Sequence, residues 1–289
     1  MEQIPATQER KRQKPDWLKI QIPAGHEYNE VKQIVAEHKL HTICQSGKCP
    51  NMGECWGRGT ATFMILGDIC TRACRFCAVK TGRPEAVDTQ EPMRVAESIK
   101  LMKLKHCVIT SVDRDDLDDG GSHIWAETIK AVKLLNPETT IEVLIPDFKG
   151  KIENIQRVIA ETPHVISHNV ETVRRLTREV RRNSNYERSL SVLKVIADSG
   201  TRAKSGIMLG LGETESEVLE TLDDLRQAGV LVVTIGQYLQ PTKDHLEVQY
   251  FVTPEQFKFY ETAGLAKGFR FVESGALVRS SYHAEKHVL

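Results

Sequence analysis

From residue 60 onward the chain alternates six times between a short apolar, β-branched run and a segment whose apolar residues recur at helical spacing. The runs are Thr62–Leu66, Cys107–Val112, Ile141–Ile145, Val165–His168, Ser205–Leu209 and Val230–Ile235. Helical segments follow at 92–104, 122–135, 151–161, 187–199, 213–228 and 254–267. Six such units in series predict a parallel sheet with helices outside it. Right-handed crossovers curl that sheet into a partial barrel, an α/β fold of the (β/α)6 kind. A doubly wound sheet is the competing arrangement. Several helix ends are legible. Asn136-Pro137 closes the second helix, because the residue before proline leaves the α region. Ser199-Gly200 and Ala228-Gly229 close the fourth and fifth on a left-handed glycine. Thr253-Pro254 opens the last.

With 289 residues and a hydrophobic share of 40%, the chain can fill one such barrel. Residues 1–58 stand outside the rhythm, with Pro15, Pro23, Pro50 and one expected helix near Glu30–His38. They read as an N-terminal extension. Residues 59–268 form the barrel, and 269–289 a C-terminal segment made of a short apolar stretch and a polar tail. Lys plus Arg and Asp plus Glu both number 39, which argues against nucleic acid. No apolar run is long enough for a bilayer. The N-terminus has no secretory pattern, and Arg10, Lys11, Arg12 and Lys14 read as a solvated tail. A cytoplasmic protein is expected.

Six of the seven cysteines form two triplets, Cys44-x4-Cys49-x5-Cys55 and Cys70-x3-Cys74-x2-Cys77. A reducing compartment keeps thiols free, so the clustering points to metal and not to disulfides. A structural zinc site takes four protein ligands, and an iron–sulfur cube has four corners. Three cysteines leave one corner open for chemistry. The second triplet follows the first apolar run through Gly67-Asp68-Ile69, where a barrel carries its reactive groups. A protein using both triplets as structural zinc sites is the alternative from a different class. Cys107, inside the second run, reads as a core residue.

Other features are more open. Gly210-Leu211-Gly212-Glu213-Thr214 is either a cradle for a nucleotide or carboxylate, or an ordinary loop with a helix cap. Asp113, Asp115, Asp116, Asp118 and Asp119, with Arg114 among them, do not have the spacing of an EF-hand and read as a rim loop for substrate or ribose. Arg174, Arg175, Arg178, Arg181, Arg182 and Arg188 form a solvated face, or one that steers an acidic partner. His106, His164, His168 and His283 have no mutual ligand spacing.

Cys-x3-Cys-x2-Cys after the first strand resembles the radical S-adenosylmethionine (SAM) superfamily. The segment Cys44-Gln-Ser-Gly-Lys-Cys49-Pro-Asn-Met-Gly-Glu-Cys55-Trp56 narrows the resemblance to the lipoyl synthase family. Lys14-Pro15-Asp16-Trp17-Leu18-Lys19, Val112–Leu117, Tyr238-Leu239-Gln240-Pro241-Thr242 and Val278-Arg279-Ser280-Ser281-Tyr282-His283-Ala284 are similar to that family too. The resemblance implies a partial barrel of the radical SAM type, two 4Fe-4S clusters and SAM as a cofactor. It implies insertion of two sulfur atoms at carbons six and eight of a protein-bound octanoyl-lysine, with sulfur drawn from an auxiliary cluster that is consumed. By the same resemblance Cys70, Cys74 and Cys77 hold the SAM-binding cluster. Cys44, Cys49, Cys55 and a serine, Ser280 or more favourably Ser281, hold the auxiliary one. Asn169, Glu171 and Arg182 are the implied SAM-binding residues. The implied partners are an octanoylated carrier domain (an acyltransferase subunit of a 2-oxoacid dehydrogenase, or the glycine cleavage H protein) and a flavodoxin- or ferredoxin-type donor. No nucleic acid or membrane partner is expected, and a monomer suits a carrier that must reach the barrel mouth. A different radical sulfur-inserting enzyme, resembling biotin synthase, is the nearest alternative.

Overall fold

The computed structural model describes residues 15–18, 32, 33, 42, 49 and 51–288. Cys44, the basic run before Pro15 and most of the helix expected at Glu30–His38 lie outside the described residues. In chain order the elements are α1 Met52–Gly57, β1 Thr60–Ile65, α2 Glu91–Leu101, β2 His106–Ser111, α3 Ser122–Leu135, β3 Thr140–Leu144, α4 Ile152–Ala160, β4 Val165–Ser167, α5 Thr177–Val180, α6 Tyr186–Asp198, β5 Arg202–Leu209, α7 Glu215–Gln227, β6 Val232–Gln237, α8 Pro254–Ala266 and β7 Phe271–Gly275.

The seven strands form one sheet in sequential order, and every neighbouring pair is parallel. Parallel strands covered by helices need apolar residues on both faces. The buried strand residues Ile65, Ile109, Val143, Ile166, Ile207 and Val233 meet Ile99, Ile129, Val158, Leu193 and Leu222 of the helices. Burying each such side chain contributes about 1.5–3 kcal/mol. Cys107 is fully buried in this core, as expected of a small apolar residue. The helix ends fall where the capping residues put them. Thr253 accepts from the Gln256 amide and Pro254 opens α8, while Gly200 and Gly229 take φ values of 83° and 84° after α6 and α7.

Two differences from the sequence reading matter for the site. First, the sheet has a seventh strand, in the short apolar stretch that opens the C-terminal segment and was not expected to join the barrel. β7 pairs with β6, from Val232 with Phe271 to Gly236 with Gly275. Second, the chain after β7 turns back over the end of β6. The Val278 carbonyl lies 2.2 Å from where a Cβ at Gly236 would stand, so only glycine permits that approach. From there the chain runs to a 3-10 turn at Ala284–Val288, where Arg202, at the start of β5, donates to the His287 carbonyl. The N-terminal extension reaches both edges of the sheet. Thr42 forms an antiparallel bridge with Phe63 of β1, and Trp17 lines a groove with Phe257 of α8 and Ser274 of β7.

Candidate functional site

β1 ends at Ile65, and Leu66 and Gly67 both take positive φ, 67° and 92°, to turn the chain. Ile69–Cys70 then pairs in parallel with Lys80–Thr81, and the Gly82 amide donates to the Cys70 carbonyl at 3.0 Å. The loop carrying Cys70, Cys74 and Cys77 is thus tied at its base. Three neighbours fix it from outside. The Asp113 carbonyl accepts from the Thr71 amide at 3.0 Å, the Val180 carbonyl from the Arg75 amide at 2.9 Å, and His245 Nε2 meets the Cys77 carbonyl at 3.0 Å.

The three thiols are half-buried. The amides of Arg72 and Asp113 donate to Cys70 Sγ at 3.4 and 3.3 Å. Burial, with Asp113 and Glu171 adding to it, pushes the Cys74 thiol up to about 12 and Cys77 to about 11. Three thiolates gathered here need a cationic centre, which deprotonates a coordinating thiol outright. A cube takes its thiolates at separate corners, so this donor set fits a cluster.

Across from the loop, the chain beyond β4 keeps pairing along β5. The Glu171 amide donates to the Gly206 carbonyl at 3.0 Å, and Glu171 itself has a φ of 68°. Asn169 Nδ2 donates to Glu171 Oε1 at 3.2 Å, while Asn169 Oδ1 is buried without a partner. Arg182 is exposed, and its neighbour Arg181 takes the inward position. Arg181 Nη1 donates to the Asn169 carbonyl at 3.0 Å, and its Nε is buried without a partner. The charges of Arg181 and Glu171 both reach Cys74. One orphaned acceptor and one orphaned donor beside the cysteine loop fit a polar ligand such as SAM.

The other candidates resolve into internal contacts. Glu213 accepts from the amides of Gly210 and Leu211, and Thr214 forms a capping box with Glu217, so the glycine loop is the ordinary capped one. Asp116 holds Arg114 at 2.9 Å, and Asp119 accepts from the amides of Gly121 and His123 at the start of α3. In the arginine run, Arg174 pairs with Glu187 and Asp224, Arg175 with Glu217, and Arg188 with Asp147. Only Arg178 and Arg182 are left exposed without an ion pair among the described residues.

Cys49 and Cys55 flank the start of α1, and the C-terminal segment packs onto it. Asn51 Nδ2 donates to the Leu277 carbonyl at 2.7 Å. The Tyr282 hydroxyl donates to Glu54 Oε2 at 3.3 Å, and His283 Nε2 lies 3.4 Å from Glu54 Oε1. Arg279 donates to the Gln237 carbonyl at the end of β6, and its charge favours the Cys49 thiolate against burial. Ser280 and Ser281, half-buried, lie between these anchors.

A family model for the radical SAM superfamily matches residues 64–225, and one for the N-terminal domain of lipoyl synthase matches residues 2–49. A lipoyl synthase of Flavobacterium psychrophilum is 65% identical over 277 residues, spanning 96% of each chain. The chain belongs to the lipoyl synthase family of the radical SAM superfamily. A mitochondrial lipoyl synthase of Nematostella vectensis is 64% identical over 95% of each chain. Lipoyl synthases are sulfur-transferring enzymes of lipoate biosynthesis that use SAM and 4Fe-4S clusters, and this chain is one of that family's enzymes. That sets aside the zinc-binding and biotin-synthase-like alternatives. The fold is shared more widely. Streptococcus suis SuiB, solved with its precursor peptide, aligns with a TM-score of 0.58 at 11% identity, over 86% of this chain and 52% of its own. Methylornithine synthase aligns with a TM-score of 0.50 at 12% identity, over 88% and 83%. No helix among the described residues is long and apolar enough to cross a membrane.

Proposed function

We propose that this chain inserts sulfur at carbons six and eight of an octanoyl group amide-linked to a lysine of a carrier domain. The carrier is an acyltransferase subunit of a 2-oxoacid dehydrogenase or the glycine cleavage H protein, and a flavodoxin- or ferredoxin-type protein supplies electrons. The observation that carries this reading is a meeting of distant segments. Asn51, two residues after Cys49, donates to the Leu277 carbonyl, and Arg279 donates to the Gln237 carbonyl at the end of β6, the same end of the sheet from which the Cys70–Cys77 loop leaves β1.

Cys70, Cys74 and Cys77 would hold the SAM-binding cluster, and Cys44, Cys49, Cys55 and Ser281 the auxiliary one. When bound, these groups supply an electron, a carbon-centred radical able to take hydrogen from an unactivated methylene, and the sulfur. No side-chain base reaches such a C–H bond, so the chain's own residues bind, aim and exclude. The amides of Arg72 and Asp113 hold the Cys70 sulfur. Asn169 Oδ1 and Arg181 Nε offer an acceptor and a donor to SAM beside Glu171, with Arg181 in the role first given to Arg182. Arg279 ties the serines to the end of β6, and Tyr282 and His283 tie them to α1. A serine oxygen among thiolates is the donor least suited to a soft metal site, and so the one released most readily. Residues 1–58 thus act as a cluster-bearing extension, 59–268 as the radical-generating barrel, and 269–289 as the arm that brings the serine while adding β7. The free thiols suit the reducing cytoplasm, and a monomer leaves the mouth open to the carrier.

Anaerobic protein should hold about eight irons per chain, four for each cube. With SAM, a strong reductant and an octanoyl-lysine peptide, it should give product thiolated at both carbons. Formation of 5′-deoxyadenosine with no thiolated product would overturn the proposal. Ser281→Cys should keep its iron and lose product; unchanged turnover in Ser281→Cys and in Ser280→Cys would remove the serine from the ligand set.

A further inference from the structure

Arg72 stands between the first two cysteines of the second triplet, yet its side chain is only 3% exposed. Three carboxylates from two other loops enclose its guanidinium. Nε and Nη2 donate to Asp115 Oδ2 and Oδ1 at 2.7 and 2.8 Å. Nη2 also donates to Asp147 Oδ1 at 2.7 Å, and Nη1 lies 3.3 Å from Asp113 Oδ1. Asp147, itself fully buried, takes Arg188 of α6 on its other oxygen at 3.2 Å. Burial alone would raise the Asp147 carboxyl, but its hydrogen bond to Arg72 holds it down to about 2. The forked, planar guanidinium is what allows one side chain to bind two loops at fixed angles; an ammonium is a point charge without that geometry.

What the fork fixes is the backbone beside the first cysteine. Asp113 and Asp115 belong to the loop after β2. In that loop the Asp113 amide donates to Cys70 Sγ at 3.3 Å, and the Asp115 amide donates to Thr71 Oγ1 at 3.0 Å. Hydrogen bonds to sulfur are among the factors that set the potential of an iron–sulfur cluster. An N–H aimed at a thiolate stabilises the more negative, reduced form. We propose that Arg72 is a positioning residue that aims the Asp113 amide at the Cys70 sulfur and thereby raises the reduction potential of the cluster on this triplet. The inference rests on the reading of Cys70, Cys74 and Cys77 as cluster ligands.

The test uses the full chain with Cys44, Cys49 and Cys55 changed to alanine, so that one cluster gives the signal. Purified without air, this parent should carry about four irons. A parent without iron and sulfide would refute the ligand reading itself, separately from the inference. Redox titration followed by electron paramagnetic resonance then compares the parent with Arg72→Lys, which keeps the charge and loses the fork. Its midpoint should move to more negative potential, enough to lower the reduced fraction at fixed potential about tenfold, equivalent to 59 mV for one electron. Asp115→Asn should move it the same way by less, since Asp113 and Asp147 remain. Glu142→Gln, in a buried pair with Lys204 that shares no residue with this network, should lower the melting temperature and leave the midpoint unchanged. An unchanged midpoint in Arg72→Lys, or in Asp115→Asn should the lysine variant fail to load iron, would overturn the proposal and leave Arg72 a purely structural anchor.

Discussion

Gly206 leaves room for one hydrogen where any side chain would collide with the site. A Cβ there would stand 2.5 Å from Thr234 Oγ1 and 3.1 Å from Asn169 Oδ1. Gly206→Ala should therefore cost about 1–3 kcal/mol of stability, as overpacking does, and also displace the Asn169 acceptor. Asn169→Ala removes the acceptor without the crowding. It should weaken SAM binding about tenfold, the worth of roughly one hydrogen bond, with little change in melting temperature. Anaerobic calorimetry with SAM and thermal melts separate the two effects; full affinity in both variants would take Asn169 out of the site. Asn169 and Glu171 were singled out by the family resemblance, and their place just past β4 is the reactive edge of a parallel sheet. The choice between Arg181 and Arg182 was not legible. An Arg-Arg pair at the end of a four-residue helix gives no periodicity, and only the carbonyls of Asn169 and Val170, more than ten residues earlier, decide which one turns inward.

At the scale of elements, long regular segments declared themselves and short or half-exposed ones did not. Six strands and their helices fall within three residues of their expected bounds, because buried parallel strands write continuous apolar runs. β7 carries Glu273 and Ser274 and is half-buried throughout, so it wrote no such run. α1 and α5 are too short for a helical period. The arginine run was ambiguous because Glu217, Asp224 and Asp147, the carboxylates that satisfy the arginines, stand far along the chain. An ion pair across three strands escaped notice for the same reason. Lys204 of β5 meets both Glu142 oxygens of β3 at 2.8 and 2.9 Å, while Ser167 of β4, the strand between, donates to Glu142 at 2.8 Å. Both charges are 1% exposed. Lys204→Met leaves a buried carboxylate uncompensated and should cost about 3–5 kcal/mol in denaturant unfolding. Removing both charges, in Glu142→Leu with Lys204→Met, should recover much of that loss. A double variant as unstable as the single would show that the pair is net stabilising.

For the molecule as a whole, burial of two histidines sets an acid limit on the fold. Burial lowers His106, at the start of β2, to about 4 against the opposing charge of Glu142, with Lys204 acting in the same direction as burial. It also lowers His168, beyond β4, to about 4, with Arg181 adding to the effect. The Ile145 carbonyl at 2.9 Å favours the protonated ring, but burial and the Arg181 charge outweigh it, so His168 stays neutral while folded. In the unfolded chain both rings titrate near the ordinary histidine value of 6.5. Between that value and about 4 the unfolded state binds more protons than the native one, so stability is full above pH 6.5 and falls as pH drops through this window. Each ring accounts for up to about 3 kcal/mol, against a typical total of 5–15 kcal/mol for a domain. The melting temperature should therefore hold steady from pH 8 to 7 and decline steeply below 6. In His106→Gln the protein should start less stable at neutral pH but decline less, since one of the protons taken up on unfolding is gone. Parallel declines for the variant and the parent would mean that the His106 ring is already protonated in the native barrel and that the acid limit lies elsewhere.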